Sequence, residues 1–228
     1  LSRCWWTFQP PEHTKIPEVV PPPCLKNGYI TFGSLNNFSK VNEEMRVLWG
    51  QLVSAVPGAR LLLHLKNSHT NATLLETLAQ AGLPPERVTL VGYQDGPDYM
   101  ATYGRIDIAL DTVPYGGGTT TFDALWMGVP VVSLTGHRSA SRAGLSILST
   151  LGRSEWVASS PMEYVQIAHR LAADPQALAD IRRGMRDAMR ASPLMDNAGF
   201  TRNMEQLLQD AWEEWCRSAI NSSGVPVR

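Results

Sequence analysis

The chain has 228 residues, 43% of them hydrophobic, enough to bury the core of one large domain or two small ones. Twenty basic and 21 acidic residues leave a formal net charge of −1, so no long-range field draws it to nucleic acid or an anionic membrane, and any polyanion must be met locally. No apolar run reaches the roughly 20 residues of a membrane span and no signal segment opens the chain, so a cytoplasmic protein is expected.

Cys4, Cys24 and Cys216 lie far apart, with neither CxxC spacing nor an even count, and read as reduced thiols. Residues 1–28 are dense in proline and expected to run extended as a linker or strap, with Trp5, Trp6 and Phe8 packed on this domain or on a lobe upstream. The opening at Leu1 also suggests a piece of a longer protein.

From Tyr29 the pattern becomes regular. "YITFGSL" reads as a buried parallel strand, and "VNEEMRVLWGQLVSAVPGA" as a helix with Met45, Leu48, Trp49, Leu52 and Val53 on one face. "RLLLHLK" is a second strand, "NATLLETLAQAGLP" a helix capped by Thr70 or Asn71, and "RVTLVGY" a third strand. A short helix in "GPDYMATYGRI" precedes the strand "DIALDT"; the helix "TTTFDALWMG" then leads to the strand "VPVVSL". Beyond lie a helix in "SRAGLSILSTLG", a brief strand in "EWVAS", two helices broken near Asp174-Pro175, and a final amphipathic helix carrying Leu207, Leu208, Ala211, Trp212 and Trp215. Its tryptophans belong either to this domain's core or to a contact with another lobe. The boundaries are therefore 1–28 for the strap, 29–200 for the domain and 201–228 for the final helix and tail.

Strands alternating with helices define an α/β, Rossmann-like doubly wound parallel sheet, and such sheets bind ligands in the loops beyond the carboxyl ends of their strands. Three of those loops carry chemistry. In "VPYGGGTTTFD", Gly117 and Gly118 permit close backbone approach, and the helix that follows presents unpaired N–H groups beside the hydroxyls of Thr119, Thr120 and Thr121. Such a mouth suits a phosphate or diphosphate, although a tight turn with a helix cap reads equally well from the glycines alone. Asp123, one helical turn further, faces the same mouth; a bound phosphate would repel it, so it is expected to accept hydrogen bonds from a sugar hydroxyl pair such as ribose offers. In "FGSLNNFSK", Asn36 and Asn37 offer amides and Lys40 a charge to the same crevice. In "VGYQDGPDYM", Tyr93 and Tyr99 either stack on a base or cover the sheet end, with Gln94 beside them.

Four stretches, "NGYITFGSLNNFSK", "PERVTLVGY", "DIALDTVPYGGGTTTFDALWMGVPVVSLTGHRSASRAGLSIL" and "MRASPLMDNAGFTRNMEQLLQDAWEEWC", resemble the carboxyl-terminal half of the O-GlcNAc transferase family. These are inverting glycosyltransferases that often carry tetratricopeptide repeats. The resemblance covers nearly the whole chain; the GGTTT form is that of bacterial members, whereas animal enzymes have a histidine where this chain has Gly118. It implies the C-terminal lobe of a two-lobed GT-B glycosyltransferase that binds UDP-N-acetylglucosamine, with a polypeptide acceptor held by another lobe and the repeats. Carried over by position, Asn37 contacts the donor and Lys40 its diphosphate, Thr119 and Thr120 bind phosphate, and Asp123 holds the ribose. Gln94 and Tyr99 fall where the family holds uracil, Tyr99 replacing a histidine.

Inverting transfer leaves new negative charge on UDP, which a lysine, threonine hydroxyls and a helix N-terminus can stabilise without a metal. No DxD or acidic cluster flanks the loop, and Asp111 is the one nearby carboxylate, so metal independence and no cofactor are expected. His137 reads as a loop residue rather than a base, His13, His64, His69 and His169 as structural, and Arg138 and Arg142 as weaker candidates for the diphosphate. By itself the chain is expected to bind nucleotide sugar weakly and to transfer little. A UDP-sugar epimerase lobe and a non-catalytic nucleotide-binding scaffold are the alternatives.

Overall fold

The structure, a computed structural model, describes residues 4–11, 15–65 and 72–223. His13, His69, Thr70 and Asn71 lie outside the described residues. Six strands, β1 (Thr31–Ser34), β2 (Arg60–His64), β3 (Val88–Val91), β4 (Ile108–Leu110), β5 (Val131–Leu134) and β6 (Val157–Ala158), form one sheet in the order β3-β2-β1-β4-β5-β6, every neighbouring pair parallel. Phe32 of β1 lies in register with Leu61 of β2 and Ile108 of β4. The central strands are buried along their whole length, because a parallel sheet needs crossover helices on both faces. The order reverses between β1 and β4, and there the loops leaving both strands open outward to form a crevice.

The helices are α1 (Cys24–Asn27), α2 (Glu43–Ala55), α3 (Ala72–Gln80), α4 (Gly96–Thr102), α5 (Thr119–Trp126), α6 (Ala143–Thr150), α7 (Pro161–Ala172), α8 (Pro175–Ala191) and α9 (Asn197–Ser223). Their starts follow capping chemistry. Asn42 accepts from Met45 N–H, Ser160 from Glu163 N–H, and Asp174 from the N–H groups of Gln176 and Ala177, with Pro161 and Pro175 at first-turn positions where no N–H is needed. In α8 the buried residues Leu178, Arg182, Met185 and Met189 recur at helical spacing, and α8 packs against α5 while α7 packs against α2.

The proline-rich opening segment is part of this domain's core. Phe8 stacks on Phe122 of α5, 5.1 Å between ring centroids, and its N–H donates to the Leu194 carbonyl at 2.8 Å. Thr7 bonds Asn197 and Leu194, and the Cys4 Sγ lies 3.2 Å from Ser146 Oγ. The extended run expected through residue 28 is interrupted by α1, which Pro22 and Pro23 introduce and a left-handed Gly28 ends. Asp107 secures that junction by accepting from the N–H groups of Cys24 and Thr31 at 2.9 and 2.8 Å.

Helix α9 runs the other way. Leu207, Leu208, Trp212 and Trp215 are exposed, and the last two stack on each other at 5.2 Å, so the alternative that placed these tryptophans in the domain's own core falls. Among the described residues no helix is long and apolar enough to cross a membrane.

One buried cation ties the strap to the sheet. Arg182, 1% exposed, donates to the carbonyls of Val20, Ile106 and Tyr103 at 2.5, 2.7 and 2.9 Å, and burial lowers its pKa to about 10 against the pull of Asp107. Arg182→Met would remove the guanidinium donor from the Val20 and Ile106 carbonyls and one of two donors from the Tyr103 carbonyl, which keeps the Ile106 N–H; each buried group left unsatisfied costs about 1–3 kcal/mol. The expected outcome is a loss of roughly 3 kcal/mol or more in urea unfolding, read as a lower midpoint with an unchanged m-value.

Candidate functional site

The crevice beyond β1 and β4 is built on Asp111, the residue after β4 and 1% exposed. Its Oδ1 accepts from Gly117 N–H at 2.6 Å and Thr112 N–H at 2.8 Å, with Asn36 Nδ2 at 3.5 Å, and its Oδ2 accepts from Ser133 Oγ of β5 at 2.8 Å. Burial raises its pKa, while those hydrogen bonds and the Lys40 charge oppose the shift. One carboxylate thus folds the loop Thr112–Gly118 back on itself and joins it to the β1 loop and to β5. Gly117 is required where it stands, since a Cβ would lie 2.6 Å from Thr120 Oγ1 and 2.7 Å from Thr121 Oγ1.

Helix α5 begins at the lip of this loop. Thr120 Oγ1 donates to Asn36 Oδ1 at 2.8 Å and Thr121 Oγ1 to the Gly117 carbonyl at 3.1 Å, while Thr119 is exposed at the mouth. Among the described residues the N–H groups of Gly118, Thr119 and Thr120 have no backbone acceptor. Lys40 reaches across from the β1 loop, donates to the Gly116 carbonyl at 3.1 Å and sits 4.3 Å from the centroid of the Tyr115 ring. That uses one of its three ammonium donors. Burial lowers its pKa and the Asp111 charge raises it. Between these groups opens a cleft of about 200 Å³, lined by Lys40, Tyr115, Thr119 and Thr120 and, unexpectedly, by Trp5 and Trp6 of the strap.

On the β3 side of this cleft lies a second group. Tyr103 donates its hydroxyl to the Thr120 carbonyl at 3.1 Å, so the Tyr99 hydroxyl, 3.2 Å away, donates to Tyr103. His64, at the end of β2, packs edge-on against Tyr99 at 5.7 Å, and Gln94 accepts from Thr102. Desolvation lifts Tyr99 to about 12, and the nearby Asp123 charge adds to the shifts of both tyrosines. Asp123 is 8% exposed, and no described residue donates a hydrogen bond to it; burial alone raises its pKa to about 7. A nearly buried carboxylate with open acceptor positions is a receptor for hydroxyl donors.

Of the residues singled out from sequence, Lys40, Gly118, Thr119 and Thr120 line the cleft, with Gly117 in its supporting loop; Tyr99 connects to it through Tyr103 and Thr120, with Asp123 near both tyrosines, and Gln94 is held on Thr102. Asn37 is exposed and caps the 3-10 turn at Phe38–Lys40 by accepting from Ser39 N–H, while its neighbour Asn36 is the amide built into the loop network. Tyr93, His137, Arg138, Arg142 and His169 are exposed. The sequence does not point to Trp5 and Trp6 as cleft residues, nor to Tyr103 and His64 as the partners of Tyr99. Their one sequence signal is position: His64 ends a strand at the ligand side of the sheet, whereas nothing local tells a strap tryptophan where to land.

The fold is a Rossmann-like lobe of the two-lobed GT-B glycosyltransferase type. The chain belongs to glycosyl transferase family 41, whose model matches residues 23–204. It is 40% identical over 217 residues to the "Probable UDP-N-acetylglucosamine--peptide N-acetylglucosaminyltransferase SPINDLY" of Solanum lycopersicum, covering 92% of this chain and 23% of that protein. It is 30% identical over 203 residues to the UDP-N-acetylglucosamine–peptide N-acetylglucosaminyltransferase of Caenorhabditis elegans, 89% of this chain and 17% of that one. An O-GlcNAc transferase variant of Thermobaculum terrenum superposes with a TM-score of 0.82 at 36% identity, over 92% of this chain and 40% of that chain. The chain spans about a quarter of the length of the curated relatives it matches most fully. Family membership decides for a transferase lobe over an epimerase lobe.

Asp123 makes stability depend on pH. Folded, it keeps its proton up to about pH 7; unfolded, it releases it near pH 4, so between those values the folded state binds more protons and stability falls as pH rises, levelling above 7. One carboxyl contributes at most about 4 kcal/mol over that range. In urea unfolding from pH 4.5 to 8, Asp123→Asn is expected to lose this downward slope relative to the wild type. Parallel profiles would mean that Asp123 ionises normally in the folded protein.

Proposed function

We propose that this chain is the donor-binding lobe of a metal-independent, inverting protein O-GlcNAc transferase, holding UDP-N-acetylglucosamine for transfer to serine or threonine hydroxyls of a polypeptide. The observation that carries this reading is the pairing, across one cleft at the sheet's switch point, of the Lys40 ammonium with the free N–H groups at the start of α5. A diphosphate in that cleft meets the helix N-terminus, the Thr119 and Thr120 amides and the spare donors of Lys40. As the glycosidic bond breaks, negative charge gathers on the leaving diphosphate, and these donors are in place before it does. Lys40 is the catalytic group of this reading, acting on the leaving group.

The nucleoside lies toward β3, its ribose hydroxyls donating to Asp123 and its base near Gln94 and Tyr99. Asn37, at the outer lip, meets the donor from the β1 loop. Asp111 does not serve as a cation ligand here, since its oxygens are engaged by Gly117, Thr112 and Ser133. The acceptor and the base that deprotonates it belong to parts of the enzyme other than this cleft, and the relatives' greater length accords with that division. Three unpaired cysteines suit a reducing, cytoplasmic setting.

Calorimetric titration of UDP into the chain, with magnesium and then with a chelator, tests the reading. Binding is expected to be the same in both. Lys40→Ala removes a charge-assisted contact and is expected to weaken it at least 10-fold, the scale of about 1.5–3 kcal/mol; Asp123→Ala is expected to weaken it similarly. Affinity for UDP-N-acetylglucosamine, whose diphosphate does not titrate near neutrality, is expected to rise with pH through about 7 as Asp123 ionises and accepts the ribose, and to lose that dependence in Asp123→Asn. Binding that requires magnesium, or that neither alanine variant weakens, contradicts the proposal.

A further inference from the structure

The cleft has two unlike ends. Beyond Thr120, toward β3, it is flanked by polar groups, Tyr103, Tyr99 and Asp123; at its α6 end it is walled by Trp5 and Trp6 beside Ala143, with Tyr115 against Lys40. The strap holds these indoles in place from both sides. Cys4 is buried against Ser146 of α6, and Thr7 and Phe8 are bonded to Leu194 and stacked on Phe122, so the two residues between have little freedom. Trp5 and Trp6 meet edge to face at 5.0 Å, and Trp5 remains 47% exposed.

Gly118 completes the arrangement. A Cβ there would lie 2.8 Å from Cη2 of Trp6, so the phosphate loop has given up a side chain at the position the strap's ring occupies. The Trp6 indole N–H is buried without an acceptor among the described residues, and Trp5 leaves almost half of its large apolar surface in water. Neither feature is explained by folding: a buried donor without a partner opposes stability, and an indole left half in water forgoes much of the gain of burial. Aromatic faces carry negative charge that attracts the weakly positive C–H groups of a pyranose ring.

We propose that Trp5 and Trp6 form the sugar-side wall of the donor cleft and are specificity-determining residues that pack against the hexose carried by the diphosphate. This rests on the donor-binding reading above, which fixes direction: with the diphosphate at the start of α5 and the nucleoside toward β3, the sugar projects toward the strap. A segment at the far end of the sequence thereby contributes to recognition of the transferred group, and not only to the fold.

The test compares two probes that share the nucleoside diphosphate, one of them carrying the sugar, at a pH above 8 where both are fully ionised. UDP and UDP-N-acetylglucosamine are titrated into the wild-type chain and into Trp5→Ala, Trp6→Phe and Trp6→Ala, each first shown by thermal melting to be folded. Trp5→Ala is the decisive variant because that side chain is half exposed and its removal leaves the core intact. Trp5→Ala is expected to weaken UDP-N-acetylglucosamine about 10-fold while changing UDP affinity less than 2-fold, with Trp6→Phe intermediate; saturation transfer from the indoles to the sugar protons is expected in the wild type. Equal losses for both probes would make the strap a support for the phosphate loop and overturn the proposal. Unchanged binding of both probes would also overturn it, and would leave the wall to a polypeptide acceptor. Failure of the wild type to bind UDP would remove the donor-binding reading itself, and the proposal with it.

Discussion

One buried carboxylate organises the ligand side of this domain. Asp111 sits at the end of β4, beside the point where strand order reverses, and accepts from two amides of its own loop and from Ser133. Its backbone is held as firmly: the Asp111 carbonyl accepts from Tyr164 Oη at 3.1 Å, and Tyr164 in turn accepts from the Trp49 indole at 3.2 Å, which links α2 and α7 to the same residue. Desolvating a carboxylate this fully is unfavourable unless hydrogen bonds replace its water, and here they come from backbone and side chains that must themselves be fixed. Loop geometry, the placement of α5 and the charge facing Lys40 all follow from that requirement.

On the proposed reading, the arrangement also lets a chain of nearly balanced charge hold an anion. Lys40 balances the Asp111 charge while donating to a carbonyl of the loop that Asp111 shapes, so the cation is aimed by the same network it helps to neutralise. At the cleft, positive charge comes from one helix end and one ammonium. A carboxylate, Asp123, stands a helical turn deeper, nearly buried and with no hydrogen-bond donor among the described residues.

Most of the fold was legible because parallel sheets write themselves plainly: short apolar runs at the spacing of strand–helix units, with turn residues between. All six strands and the helices from α2 to α8 fall within the stretches read from the sequence, while α9 begins at Asn197, four residues before the boundary drawn at 201. The cleft was legible where chemistry and position coincide, as at Lys40, Gly117 and Thr120. It was not legible where neighbours compete for one role: Asn36 and Asn37 are identical residues one apart, and only the direction of the chain leaving β1 turns the first inward and the second out. Nor can an apolar stripe name its partner. Trp212 and Trp215 have the spacing of a core face, yet α9 leaves them in solvent, stacked on each other. The strap is the extreme case, since contacts such as Phe8 with Phe122 and Leu194 leave no periodic trace in sequence.

Those contacts set the order in which the domain can be completed. The Thr7 hydroxyl meets a carbonyl 187 residues later, and the Pro17 carbonyl meets Arg186, 169 residues on. Closing loops that long brings its entropic cost before any contact rewards it, which is the physical root of slow folding in chains of high contact order. On a ribosome the sheet from β1 to β6 can assemble while the opening residues still wait for their partners in α8 and at Leu194. The strap cannot complete its contacts before α8 and the start of α9 are made, and until it does, Phe122 and Trp126 lack the apolar partner that Phe8 supplies.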